Sequence, residues 1–145
     1  LTGSNAIVLV GGADADRLTA AQHATMTGGA GADIFVLTTP GTLAAPDTNT
    51  ITDFTHGTDK ITFSDTGFSL KLSGASATPK ALPSTLFVSN STGRFTSTAQ
   101  RFAYNTTTGA LDHDSKGNTA GSAKELIATL TGHPTLTASD LSFVS

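Results

Sequence analysis

The chain has no cysteine, which excludes disulfide staples and thiolate metal sites. Charge is scarce as well. Asp, Glu, Lys and Arg together make up 13% of its 145 residues, about half the usual share. The eight Lys and Arg are scattered, so there is no basic footprint for nucleic acid. No apolar run approaches the roughly 20 residues that a membrane-spanning helix needs. Hydrophobic residues reach only 37%. That is thin for a two-layer core, so the fold is expected to need support beyond apolar burial. The opening LTGSNAIVLVGG carries neither Met nor a basic signal-peptide start, and it reads as the middle of a longer protein.

Thr, Ser, Ala and Gly stand where charge is missing. Ten of the eleven acids are Asp and only Glu125 is Glu. A surface built for helices would favour Glu. Abundant Asp and Gly instead suggest turns or oxygen ligands for a hard cation.

Spacing decides between those two. Residues 28–36, GGAGADIFV, match the nonapeptide G-G-x-G-x-D-x-U-x at every fixed position. Residues 11–19, GGADADRLT, match all but one, with Asp14 in place of the fourth-position Gly, and the copies start seventeen residues apart. The flanking nonapeptides 2–10 and 19–27 keep the apolar eighth position as Leu9 and Met26, as Leu18 and Phe35 do in the motif copies. Each nonapeptide is a turn and a short strand, and two of them make one coil of a parallel β-roll. The eighth residue faces inward, and Asp16 and Asp33 fall on one edge a coil apart. Calcium takes six to eight oxygens at about 2.3–2.6 Å, which two carboxylates and the carbonyls of both turns can supply. The opposite edge, with Ile7 and Ala24 at the sixth position, is expected to be metal-free.

With these repeats the chain resembles the RTX (repeats-in-toxin) family of calcium-binding domains, found in serralysin-type proteases, lipases, toxins, surface-layer proteins and adhesins. The resemblance implies one site from Gly12, Asp14 and Asp16 facing Gly28, Ala30 and Asp33. ITDFTHGTDKITFSD (51–65) is similar to the segment that follows the last repeat in serralysin-like C-terminal domains. That likeness implies a second site from Gly29, Gly31 and Asp33 with Asp53, and with Asn49 where the family usually has Asp. Asp47 is a neighbour able to restore the lost charge. Asp59 reads as structural, in a hairpin turn His56-Gly57-Thr58-Asp59 between alternating strands.

The later segments 81–90, 99–118 and 123–144 keep the order of RTX C-terminal domains. Arg101–Asn105 reads as a strand that turns at Thr108-Gly109 and returns through Leu111. Relatives carry an acidic loop next. Here Lys116 stands in it and opposes a cation, so the loop at Asp112, Asp114 and Asn118 is expected to keep its turn without metal. Leu126, Ile127 and Leu130 lie at helical spacing before Gly132, which predicts one short helix near 123–130. Thr137–Asp140 predicts a turn before a closing strand through Leu141, Phe143 and Val144. The resemblance implies that this end is an uncleaved signal addressing an ABC exporter of the type I pathway.

No catalytic constellation is present. His23, His56, His113 and His133 are dispersed, and neither H-E-x-x-H nor G-x-S-x-G occurs. His113, between Asp112 and Asp114, reads as an exposed loop residue because no second His or Glu lies at ligand spacing in sequence. The expected fold is all-β. A short right-handed parallel β-roll (residues 1–36, calcium-binding) leads into an antiparallel β-sandwich-like body (residues 37–145) with one short helix. The expected function is a non-enzymatic, secreted, calcium-binding C-terminal domain that folds outside the cell and directs type I secretion. Two alternatives stand beside it: a calcium-dependent surface-layer or adhesin module capable of self-association, and the accessory domain of a secreted hydrolase.

Overall fold

Alternating polar and apolar residues between glycine-rich turns make short strands throughout, and no segment keeps a helical period long enough to compete. The structure is a computed structural model that describes residues 7–40, 48–74 and 76–145. The N-terminal part of the first nonapeptide and Asp47 lie outside the described residues.

Strands β1 (Ile7–Gly12), β2 (Arg17–Ala20), β3 (Ala24–Gly29), β4 (Ile34–Leu37), β5 (Asn49–Ile51) and β6 (Lys60–Ser64) wind as a roll. Odd-numbered strands go to one sheet and even-numbered strands to the other. Every contact between successive coils is parallel and in register, with Ile7 opposite Ala24 and Leu18 opposite Phe35. These strands are followed by β7 (Lys80–Ala81), β8 (Phe87–Asn90), β9 (Phe102–Asn105), β10 (Ala110–His113), β11 (Glu125–Leu130) and β12 (Leu141–Val144). Among the described residues this gives a seven-stranded sheet, β1-β3-β5-β11-β10-β9-β8, and a five-stranded sheet, β2-β4-β6-β12-β7.

The all-β expectation holds, with two corrections. First, the body is not simply antiparallel. β11 joins β5 in parallel and β12 joins β6 in parallel, so the end of the chain supplies a further pair of strands to the roll. β8 and β9 are also parallel, while β9-β10-β11 and β7-β12 are antiparallel. The reason is physical: the last coil, β5 and β6, presents unpaired N–H and C=O groups, and β11 and β12 satisfy them. Second, residues 125–130 are a strand and not a helix. The Leu126, Ile127, Leu130 spacing suits a helix, but this segment lies between β5 and β10, where both ladders demand an extended partner.

The two sheets meet on one apolar core running from Leu18 to Phe143. Phe63 of β6 stacks on Phe102 of β9 with ring centroids 3.9 Å apart, and Met26, Phe35, Ile51, Ile61, Tyr104 and Leu130 are fully buried around them. The turn and return strand expected at 101–111 are present, as β9 and β10. A single-turn 3-10 helix, Ala138–Asp140, precedes the closing strand β12. The turn at 56–59 is present as well, but it does not close a hairpin. It carries the chain from β5 in one sheet to β6 in the other.

Candidate metal centre

Asp16, Asp33 and Asp59 occupy equivalent corners, each one residue before an even-numbered strand. Their backbones stack: Ile34 N–H donates to Asp16 O and Lys60 N–H to Asp33 O, both at 2.8 Å. Their side chains repeat the relation. Asp33 Oδ1 accepts from Asp16 N–H at 2.9 Å, and Asp59 Oδ1 accepts from Asp33 N–H at 3.0 Å. Asp59 Oδ2 is held by Thr55 N–H at 2.8 Å, so Asp59 is the structural corner of the third coil. The Asp33 and Asp59 carboxylates thus each reach back to the coil before. Beyond the strand ends, Asp53 accepts from Gly28 N–H and Gly29 N–H at 2.9 and 2.8 Å.

Glycine makes this corner possible. A Cβ at Gly28 would run into the Asp33 carboxylate, and one at Gly11 into the Asp16 carboxylate and the Gly28 carbonyl. Gly31 has φ +125°, and a Cβ there would lie 2.6 Å from the Asp14 carbonyl oxygen. Adjacent turns therefore press carbonyls and carboxylates together with no side-chain bulk between them. Gly12 O, which accepts from Ala30 N–H at 2.8 Å, belongs to the same crowd. Every donor in this set is oxygen, which suits calcium over softer metals. Among the described residues no three acidic or histidine side chains converge, so a cation here would draw largely on backbone carbonyls.

Comparison with known protein families matches residues 2–143 to the family described as Peptidase M10 serralysin C terminal. The chain belongs to that family. Its members are calcium-binding, RTX-type domains that form the non-catalytic C-terminal part of metalloproteases. No curated protein matches this serralysin C-terminal domain.

Of the residues expected to bind metal, Gly12, Asp14, Asp16, Gly28, Ala30, Gly31 and Asp33 are brought together on the corner, and Asp53 is clasped to Gly28 and Gly29. Asn49 is not brought there. It is 1% exposed at the far end of β5. Its Oδ1 accepts from Ala24 N–H and its Nδ2 donates to Ile127 O, so the amide ties β3, β5 and β11 together. The substitution of Asn for Asp fits a group that must both accept and donate.

The acidic loop of this serralysin C-terminal domain is held internally. Lys124 Nζ lies 2.6 Å from Asp112 Oδ2, and Asp114 Oδ1 accepts from Lys116 N–H at 2.8 Å. His113 corrects the sequence reading. It is 4% exposed on β10, its ring packs against Phe68 and Phe102, and Glu125 stands directly opposite on β11. Its Nδ1 is 3.6 Å from Glu125 Oε2, and neither atom has a hydrogen-bond partner among the described residues. Burial above all lowers the His113 pKa to about 4, with Asp114 opposing and Arg101 assisting.

Asp140 is a second feature that the sequence did not announce. It is fully buried and accepts from His56 Nδ1, Gly57 N–H and Thr137 N–H at 2.7, 3.1 and 2.9 Å. Burial raises its pKa, but hydrogen bonds from Thr137, His56 and Gly57 outweigh that and lower it. The pair fastens the turn of the last coil to the closing strand across 84 residues of sequence.

Proposed function

We propose that this domain completes its fold on calcium outside the cell and directs type I export of a larger protein. In this reading residues 1–36 hold the calcium-binding repeats, and residues 37–145 form the C-terminal part whose end addresses the ABC exporter. The observation that carries the reading is the corner stack, in which Asp16 and Asp33 bring two carboxylates onto turns lined with glycine carbonyls. Gly12, Asp14 and Asp16 with Gly28, Ala30 and Asp33 would hold one ion, and Gly29, Gly31, Asp33 and Asp53 a second. Bound calcium supplies positive charge that offsets the crowding of these oxygens, and because the corner exists only in the folded chain, its binding energy appears as folding energy.

The chain's own residues suit such a switch. The core is modest, and the roll's corners rest on carboxylates that accept from backbone N–H groups. In the cytosol, where free calcium is low, the corner lacks its counter-charge and the chain stays poorly ordered. At the millimolar calcium found outside cells the fold closes, which favours outward movement. Membership in a family of metalloprotease C-terminal domains favours the accessory domain of a secreted hydrolase as the setting.

The test is far-UV circular dichroism and melting temperature of the chain, titrated from chelator to millimolar calcium with magnesium as control. A cooperative gain of structure specific to calcium is expected. A chain already fully folded in chelator and indifferent to calcium would sink the proposal.

A further inference from the structure

The outer face of the seven-stranded sheet carries an ordered array of threonines that calcium binding and export leave unused. Strands β1, β3, β5 and β11 are adjacent and mutually parallel. In three of them the outward positions read Thr-x-Thr: Thr25 and Thr27, Thr50 and Thr52, Thr129 and Thr131. The residues between, Met26, Ile51 and Leu130, are fully buried in the core. On β1 the equivalent positions are Val8 and Val10, exposed by 66% and 68%.

The array is in register. Val8 pairs with Thr25, Thr25 with Thr50, and Thr50 with Thr129. In the second row Val10 pairs with Thr27, the Thr27 and Thr52 hydroxyls lie 2.7 Å apart, and Thr131 N–H donates to Ile51 O. Two straight rows of four side chains result, and none of the eight is charged. Threonine is 27 of 145 residues. A strand preference worth at most about 1 kcal/mol per site does not by itself fill six contiguous outward positions with one residue type.

We propose that this face binds ice. Neighbouring strands repeat at about 4.8 Å, and alternate residues along a strand at about 6.7 Å. The outward side-chain positions therefore stand on a rectangular net, within which the Thr27 and Thr52 hydroxyls lean toward each other, and the oxygens on a prism face of hexagonal ice occupy a net of closely similar dimensions. Threonine is stiff about χ1, so its hydroxyl and methyl are held in place before contact and lose little freedom on binding. The hydroxyls of Thr25, Thr50, Thr129 and Thr131 each offer one donor and two acceptor sites to ordered water, while those of Thr27 and Thr52 bond each other and Thr52 also reaches Met26 O. The absence of charge matters equally, because an ionised side chain would impose its own hydration geometry on the crystal face. Individually weak contacts add when a rigid array engages a lattice at many points together.

The experiment is partition of the chain, folded in calcium, into a slowly growing ice hemisphere, with thermal hysteresis and crystal shape measured alongside. The wild-type chain is expected to enter the ice and to facet crystals. Thr50→Tyr, in the middle of the array, is expected to reduce entry about tenfold or more, while Thr85→Tyr, an exposed threonine outside it, leaves entry unchanged. Thr25→Lys gives a second reading at a position whose hydroxyl makes no hydrogen bond among the described residues. Circular dichroism of each variant separates loss of the face from loss of the fold, and so from failure of the calcium proposal. A folded wild-type chain that stays in the liquid overturns the inference, even if it self-associates or sediments with an insoluble polysaccharide. Entry of a folded Thr50→Tyr at the wild-type level overturns it too.

Discussion

Asp33 carries two roles that one substitution series can separate. Its carboxylate accepts from Asp16 N–H in the structure, and in our proposal it also belongs to both calcium sites. Asp33→Asn keeps an acceptor and loses the charge, whereas Asp33→Ala loses both. Both are expected to raise the calcium midpoint about tenfold, since affinity follows carboxylate count. At saturating calcium the Asn variant should recover most of its melting temperature. The Ala variant should stay lower by about 1 kcal/mol, the cost of a part-buried N–H left unpartnered. Equal recovery of the two would remove the hydrogen bond from the account. His113 allows a pH test. Its folded pKa is about 4, below the ordinary imidazole value of roughly 6.5. The unfolded chain therefore binds the proton first. Stability is complete above about pH 6.5 and falls as pH drops toward 4, by about 3 kcal/mol for this group. Denaturation in excess calcium between pH 7 and 5 reads this before the Asp residues protonate. His113→Leu should flatten the dependence, and an unchanged slope would assign it elsewhere.

At the scale of elements, β11 is the decisive strand. It joins the parallel roll to the antiparallel strands, with β5 on one side and β10 on the other. Leu130 is fully buried and its N–H donates to Gly109 O at 2.9 Å. Leu130→Ala should therefore cost about 2–5 kcal/mol, seen as a lower melting temperature in calcium. A loss under about 1 kcal/mol would mean that the strand is peripheral. The segment shows why short apolar runs mislead: Leu126 and Ile127 lie four and three residues before Leu130 and satisfy a helical period, while the β-branched Ile127 and Thr129 suit a strand equally. A free edge on each side settled the matter.

For the molecule as a whole, the chain's end closes what its beginning starts. β12 is buried along its length between β6 and β7, and Asp140 locks its approach to the turn at His56 and Gly57. Removing residues 137–145 deletes Leu141, Phe143 and Val144, whose burial is worth about 2 kcal/mol each, and uncovers the edge of β6. Against a net stability of about 5–15 kcal/mol, the truncated chain should lose its cooperative thermal transition even in saturating calcium. A preserved transition would show that the roll folds without its C-terminal strands.

The repeats, the parallel coils they build, and the placing of Asp16 and Asp33 on one edge were all legible in the residues alone. Those features depend on local rules: glycine where turns crowd, aspartate at the corner, and an apolar residue at each eighth position. The return of β9 through β10 and the closing turn at Thr137–Asp140 were legible for the same reason. What needed the tertiary structure was every pairing between distant segments. Asn49 stands where a ligand was expected, yet it bonds Ala24 and Ile127 because β11 comes to lie beside β5. Likewise Glu125 reaches His113 only across the β10–β11 ladder, and His56 reaches Asp140 only once β12 has docked. The threonine rows are visible as three short tripeptides, but a two-dimensional array exists only when parallel strands from three parts of the chain align. Local conformation follows from neighbours in sequence, whereas a long-range partner is chosen by which unsatisfied edge the folding chain leaves open.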